Sequence, residues 1–291
     1  MNRASSCVRR RQIKHSLAPM DTTTSRHFRE RGFTLVELLI AIAISGLIMS
    51  ALFAFFWTQE NTANTQQGIA LMQGDLGGAA QMLSQDIRMA RLNPLENEQL
   101  SHANCGQNFK ASFQSGVNFN NGTCSIPTAV STDATNLAFV SDRDVDGKIS
   151  GTDTPLEQIA YRFQPAGAGA LSGRLERYNP SSGIDTWPDV MQNIDGLEFL
   201  YQLDNNVFTC KPTAAQLNAI QAVWVTILAR GELAQKRYRN TENYAQQRAS
   251  VGKTAGGDTT CNLTPGNFNN GNLYNDSFRR QLLTFTVECR N

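Results

Sequence analysis

From Leu38 to Trp57 the chain runs for 20 residues without a charge, and only Ser45 and Ser50 interrupt its apolar character. That length matches the roughly 20 helical residues needed to cross a ~30 Å hydrocarbon core, so the rest of the chain is divided between two sides of a membrane. A secretory signal peptide is the competing reading, but its apolar region is only about 7–15 residues long and precedes a small-residue cleavage site. Charge assigns the sides. Residues 1–32 hold eight Lys/Arg and two acids, a balance of +6; of the 26 basic and 25 acidic residues in the chain, 18 and 23 lie beyond them, a balance of −5. Lys and Arg resist translocation, so the basic flank faces the cytoplasm and the acidic remainder is exported. The overall +1 charge and 41% apolar content exclude a wholly disordered chain and give no reason to expect a nucleic-acid partner.

The span begins with an acid. In "RGFTLVELLIAIAISGLIMSALFAFFW" Glu37 follows Gly32 by five residues. A carboxylate at mid-membrane costs roughly 2.5–3.5 kcal/mol on insertion scales, which favours a partner or a function. Close to a helix amino end the cost falls and the helix dipole favours negative charge, so a tolerated interfacial Glu is the alternative. Position alone leaves both open.

Gly32-Phe33-Thr34-Leu35-Val36-Glu37, preceded by basic residues and followed by some twenty apolar ones, resembles the processing signal of type IV prepilins and type II secretion pseudopilins. The resemblance implies that a membrane peptidase cuts between Gly32 and Phe33 and methylates the new Phe33 terminus. It also implies a role for Glu37, whose carboxylate would pair with the Phe33 ammonium of a neighbouring subunit in an apolar filament core. Opposite charges attract strongly in low dielectric, and removing one strands the other. The leader would span 32 residues from Met1 or 13 from Met20, and both starts give the same mature chain.

Beyond Trp57, Ile69, Met72, Leu76, Ala79, Leu83, Ile87 and Ala90 follow steps of three and four, one stripe of an amphipathic helix that should cover a sheet. A membrane-lying helix fits less well, because Asp75, Asp86, Arg88 and Arg91 make no strongly basic face. Gly68, Gly74, Gly77 and Gly78 each weaken a helix by about 1 kcal/mol relative to Ala, which makes bending or local melting an expectation there. Asn93-Pro94 should end it. Residues 33–92 then form one helix of about 90 Å if unbroken.

Further on, strand-like pieces alternate with Gly, Asn, Pro and Ser clusters: 136–141, 157–163, 173–179, 194–203, 222–230 and 282–290. In the last, Leu283, Phe285, Val287 and Cys289 share one face. An antiparallel sheet with one covered face follows. The fold class expected is therefore α+β, and the resemblance implies that it is pilin-like. Its parts are a leader (1–32), a transmembrane half-helix (33–57), an amphipathic half-helix (58–92) and a β-rich domain (93–291).

Six cysteines are present, and Cys7 lies in the basic flank, leaving five exported. An oxidising exterior favours disulfides, and an odd number leaves at least one thiol unpaired or bonded between molecules. Cys105–Cys124 is the first pairing expected, closing a loop of about 20 residues worth roughly 3 kcal/mol on the chain-entropy model. Cys210–Cys261 is the second, and Cys289, on an apolar strand face, reads as a buried thiol.

"DRDVDGKISGTD" (142–153) sets Asp142, Asp144, Asp146 and Asp153 at positions 1, 3, 5 and 12, with Gly147 at 6 and Lys148 at 7. Alternating oxygen ligands around a sharp turn suit Ca²⁺. Asp153 is shorter than the usual Glu and the flanks read as strands, so an Asp-rich hairpin turn is the alternative. "SVGKT" (250–254) lacks the first glycine of a phosphate loop, since position 247 is Gln247, and a strand–loop–helix context is missing. His102 is alone on the exported side and makes neither a zinc site nor a triad. Basic pairs such as Arg279-Arg280 and Lys236-Arg237 read as solvated faces. An enzyme is not expected.

"MLSQDIRMAR", "IDGLEFLYQL" followed by "AVWVTILAR", and the final "FTVECRN" resemble PilW-like minor pilins, related to GspJ-like minor pseudopilins. That likeness implies a low-copy subunit that primes type IV pilus assembly and sits at the filament tip, serving twitching, adhesion or DNA uptake. Its implied partners are other minor pilins, the major pilin, the prepilin peptidase, the inner-membrane assembly platform and a tip adhesin. A type II secretion pseudopilin, or a membrane-anchored periplasmic module binding calcium or another ligand, are the alternatives.

Overall fold

The computed structural model describes residues 32–96, 99–102, 105–119, 128–149, 157–166, 172–181, 184–235, 238–246, 268 and 274–289. The chain divides into two units, Met1–Trp57 and Thr58–Asn291. One helix, α1 (Leu35–Arg88), contributes to both. The strands in chain order are β1 (Leu100–His102), β2 (Asn108–Phe109), β3 (Val117–Phe119), β4 (Thr128–Val130), β5 (Asn136–Val140), β6 (Lys148–Ile149) and β7 (Gln158–Gln164). They continue with β8 (Gly173–Arg177), β9 (Asn179–Ser181), β10 (Ile184–Thr186), β11 (Asp189–Leu203), β12 (Phe208–Thr209), β13 (Ile220–Arg230) and β14 (Arg280–Glu288).

The 54 residues of α1 are continuous through all four glycines where bending or melting was expected. A methyl group added at Gly68, Gly74, Gly77 or Gly78 would meet no atom within 4 Å, so packing in the subunit does not demand their bareness. The helix stops earlier than residue 92: Met89 and Ala90 donate to the carbonyls of Asp86 and Ile87, each at 3.0 Å. That three-residue spacing tightens the last turn before Pro94 forbids its continuation.

In the first unit every described residue, 32 to 57, is exposed. By length and composition this part of α1 is sufficient to cross a membrane.

The second unit is built on an antiparallel sheet of order β14-β13-β11-β8-β7-β5, with β12 paired to β11. The long strands align over nine residue pairs between β13 and β14. Alternation decides which residues go where. Leu137 and Phe139 of β5 join Met72, Leu76, Ala79, Leu83 and Ile87 of α1 in the main core. Ala138 and Val140 face the other way, into a second core with Leu100, Phe109, Phe119 and Tyr178. The stripe read from the sequence is the buried stripe, except that Ile69 is only half-buried. Val287 and Cys289 are buried in the main core with Leu283 and Phe285 packed against it, the face expected for the last strand. The protein is thus α+β, a long apolar amino-terminal helix with a large antiparallel sheet. The short sheet β2-β1-β6, with β1 and β6 parallel, has no counterpart among the expected strands.

Arg280 departs from the solvated face expected of its basic pair. It is 9% exposed, its Nε lies 2.6 Å from Asp195 Oδ2, and its Nη2 lies 2.6 Å from Asp276 Oδ2. Asp195 sits at a register shift of β11 against β13, and such a bulge re-aims a side chain. Two carboxylates and the Tyr274 ring, 3.6 Å from the guanidinium, explain why this charge is tolerated indoors. Lys236 and Arg237 lie outside the described residues.

Cys105 and Cys210 are each disulfide-bonded; Cys124 and Cys261, the partners expected from the sequence, lie outside the described residues. Cys289 is a free, buried thiol. Burial pushes its pKa up to about 12, with Arg91 pulling weakly the other way.

Candidate functional site

Three arrangements bear on function, and the first is the head of α1. Thr34 and Glu37 form a reciprocal cap. The Thr34 backbone N–H and hydroxyl both donate to Glu37 Oε2, at 3.0 and 3.1 Å, and the Glu37 N–H donates to Thr34 Oγ1 at 3.2 Å. This T-x-x-E box satisfies backbone donors that a helix start otherwise leaves unpaired. Reading the acid only as a charge missed it, although Thr34 three residues ahead was the available signal. Both bonds use Oε2, which leaves Oε1 for another donor. Phe33, the expected new terminus, is 89% exposed beside it.

The second arrangement fastens the other end of α1 within the globular unit. Asp86 is 6% exposed, one step from Ile87 in the buried stripe. Its Oδ1 takes Arg143 Nη2 at 2.9 Å, and its Oδ2 takes Arg177 Nε at 2.9 Å and the Tyr161 hydroxyl at 2.6 Å. Burial, and then the Asp86 charge, raise the Tyr161 pKa far above the ordinary phenol value, so it stays a donor. Burial works against the Arg177 charge, but Asp86 and Tyr161 outweigh it and its pKa is raised. Arg143 stands on the loop after β5, Tyr161 on β7 and Arg177 on β8. One helical carboxylate thereby collects side chains from two strands and a loop of the sheet.

The third is the acidic loop between β5 and β7. Asp142 Oδ1 accepts Val145 N–H at 2.7 Å, and its Oδ2 accepts Gly147 N–H at 3.1 Å. Asp144 accepts Asp146 N–H at 3.1 Å, and Asp146 accepts Lys148 N–H at 2.7 Å. Val145 and Gly147 both have positive φ, 66° and 74°, the left-handed backbone that the sharp turn requires. Carboxylate oxygens of Asp142, Asp144 and Glu157 lie within 4.8 Å of one another. Asp146 is outside that group, and Asp153 lies outside the described residues. Glu157 was missed because it stands at the start of a strand, 13 residues beyond Asp144.

Residues 27–53 match the family model for the prokaryotic N-terminal methylation motif. That stretch contains Gly32, Phe33, Thr34 and Glu37. No curated protein matches the chain. Among solved structures, a type IV-like pilin from Thermus thermophilus aligns over 75% of this chain and 95% of its own, at 11% identity and a TM-score of 0.37.

Proposed function

We propose that this chain, a type IV pilin-like protein with the prepilin methylation motif at the head of an apolar helix, is a PilW-like minor pilin of a type IV pilus. Its role is structural and non-enzymatic. The peptidase cuts between Gly32 and Phe33, Phe33 is N-methylated, and Glu37 pairs with the Phe33 ammonium of an adjacent subunit during assembly. Before assembly the apolar half of α1 lies in the inner membrane with the globular unit in the periplasm. Afterwards the subunit joins other minor pilins and the major pilin at or near the tip.

One observation carries this reading: a matched methylation motif heads a stretch, 32 to 57, in which every apolar side chain is exposed. A surface of that kind requires lipid or protein cover. Glu37 adds the register, because its free oxygen and the new amine come from the same short stretch.

Mass spectrometry of the protein from cells containing the peptidase is expected to show a chain beginning at N-methyl-Phe33. Retention of residues 1–32 in such cells would refute the processing step. Deleting the gene is expected to reduce surface pili and twitching; loss of exoprotein release with pili intact would place the chain in a type II secretion system instead.

For the cysteines we propose the pairings Cys105–Cys124 and Cys210–Cys261, each closing an exported loop. A non-reducing peptide map should show both cross-linked peptides, with Cys289 labelled by iodoacetamide at pH 8 only after denaturation. The sign follows from the raised thiol pKa, since the protonated form dominates at pH 8 and is a poor nucleophile. Cys289 in either cross-link, or labelled in the folded protein, would contradict the assignment.

A further inference from the structure

We propose that Asp142, Asp144 and Glu157, together with the Ser141 hydroxyl, form a Ca²⁺ site that braces the end of α1 against the sheet. The proposal is independent of the filament reading. Three carboxylate oxygens within 4.8 Å of one another are the first observation. Asp142 and Glu157 are both fully buried, so their oxygens are held away from bulk water.

The second observation is Ser141. Its Oγ is buried, with the residue 0% exposed, and has no hydrogen-bond partner. The β5–β7 ladder fixes the face on which it stands. Val140 opposes Gln158, and the Ser141 N–H donates to the Glu157 carbonyl at 3.0 Å, so Ser141 directly opposes Glu157. Opposed residues of an antiparallel pair project from the same face with Cβ atoms about 5 Å apart. The orphaned hydroxyl therefore leaves the backbone on the same face as the Glu157 side chain, on the side where a hard cation held by that carboxylate would take its oxygen.

The donor set is all oxygen and includes no sulfur or imidazole, which suits Ca²⁺ rather than zinc or copper. Ligand distances of about 2.3–2.6 Å allow oxygens on opposite sides of one ion to be up to about 5 Å apart, in keeping with the spread of the cluster. Asp142 and Asp144 are shared with the set that the loop spacing predicts. The later carboxylate is Glu157, delivered by the return strand.

The placement gives the ion a mechanical task. Asp142 N–H donates to the Leu92 carbonyl at 2.9 Å, just past the helix. Arg143, between two ligands, gives its N–H to Glu157 Oε1 at 2.8 Å and its guanidinium to Asp86. Ordering the loop therefore orders the Asp86 cage.

The full-length protein in detergent, stripped with a chelator and titrated with CaCl₂, should show a saturable rise in Tm in the range of about 10⁻⁵–10⁻³ M. Asp144→Asn, at an exposed position that leaves the core untouched, should keep the metal-free Tm and weaken calcium affinity at least tenfold. Ser141→Ala should do the same to a lesser degree. Absence of any calcium-dependent shift, an equal shift in Asp144→Asn, or an equal response to MgCl₂ at the same concentrations would each overturn the proposal.

Discussion

Asp86→Ala is expected to destabilise the globular unit by about 3–5 kcal/mol, the cost of leaving two guanidinium groups and a phenol around an empty buried position. For a unit of this size that corresponds to a drop in Tm of roughly 10 °C. Near-UV circular dichroism melts of the purified protein would measure it. Asp86→Asn keeps the shape and loses the charge, and should fall between the two, because an amide can still accept from Tyr161 but cannot compensate Arg143 and Arg177. A drop below about 2 °C for the alanine variant would show that the cage contributes little. Added salt should scarcely alter the difference, since the contacts of Asp86 are largely shielded from water.

Glu37→Gln is expected to remove the subunit from sheared surface filaments by at least tenfold while leaving it in the membrane. Glutamine preserves the reciprocal cap with Thr34, because both Glu and Gln serve at that position. It also lowers the cost of membrane insertion, since a charge is removed. Neither a frayed helix nor failed insertion could then account for the loss. Thr34→Ala is the complementary variant: it gives up a cap worth about 0.5–2 kcal/mol, keeps the carboxylate, and should assemble. Wild-type incorporation of Glu37→Gln, measured by immunoblot of the sheared fraction, would remove the charge pairing from the mechanism. Normal incorporation of Glu37→Gln with failure of Thr34→Ala would make the cap the function of the acid.

Much of this architecture was legible in the residues because it is written in local periods. The stripe Met72, Leu76, Ala79, Leu83, Ile87 and Ala90 repeats at the helical step, and Leu283, Phe285 and Val287 repeat at the strand step; both faces are the buried ones. What escaped was set by distance along the chain. Asp86 reads as a polar residue beside the stripe until Arg143, Tyr161 and Arg177 are brought to it from 57, 75 and 91 residues away. Glu157 reads as the start of a strand until β5 and β7 align and place it next to Asp142. The parallel pairing of β1 with β6 joins two strands of three and two residues, too short to show a period. Arg280 was misread for the same reason as regards Asp195, which comes from a bulge 85 residues away, although Asp276 stands only four residues before it.

The sixteen large apolar side chains laid bare between Phe33 and Trp57 leave this molecule no comfortable existence as a lone particle in water. At about 1.5–3 kcal/mol for each, wetting them all would cost on the order of 30 kcal/mol, more than the whole stability of an ordinary domain. Any traffic of the subunit from one greasy host to another must therefore be a direct handover, with the receiving surface in contact before the donor lets go.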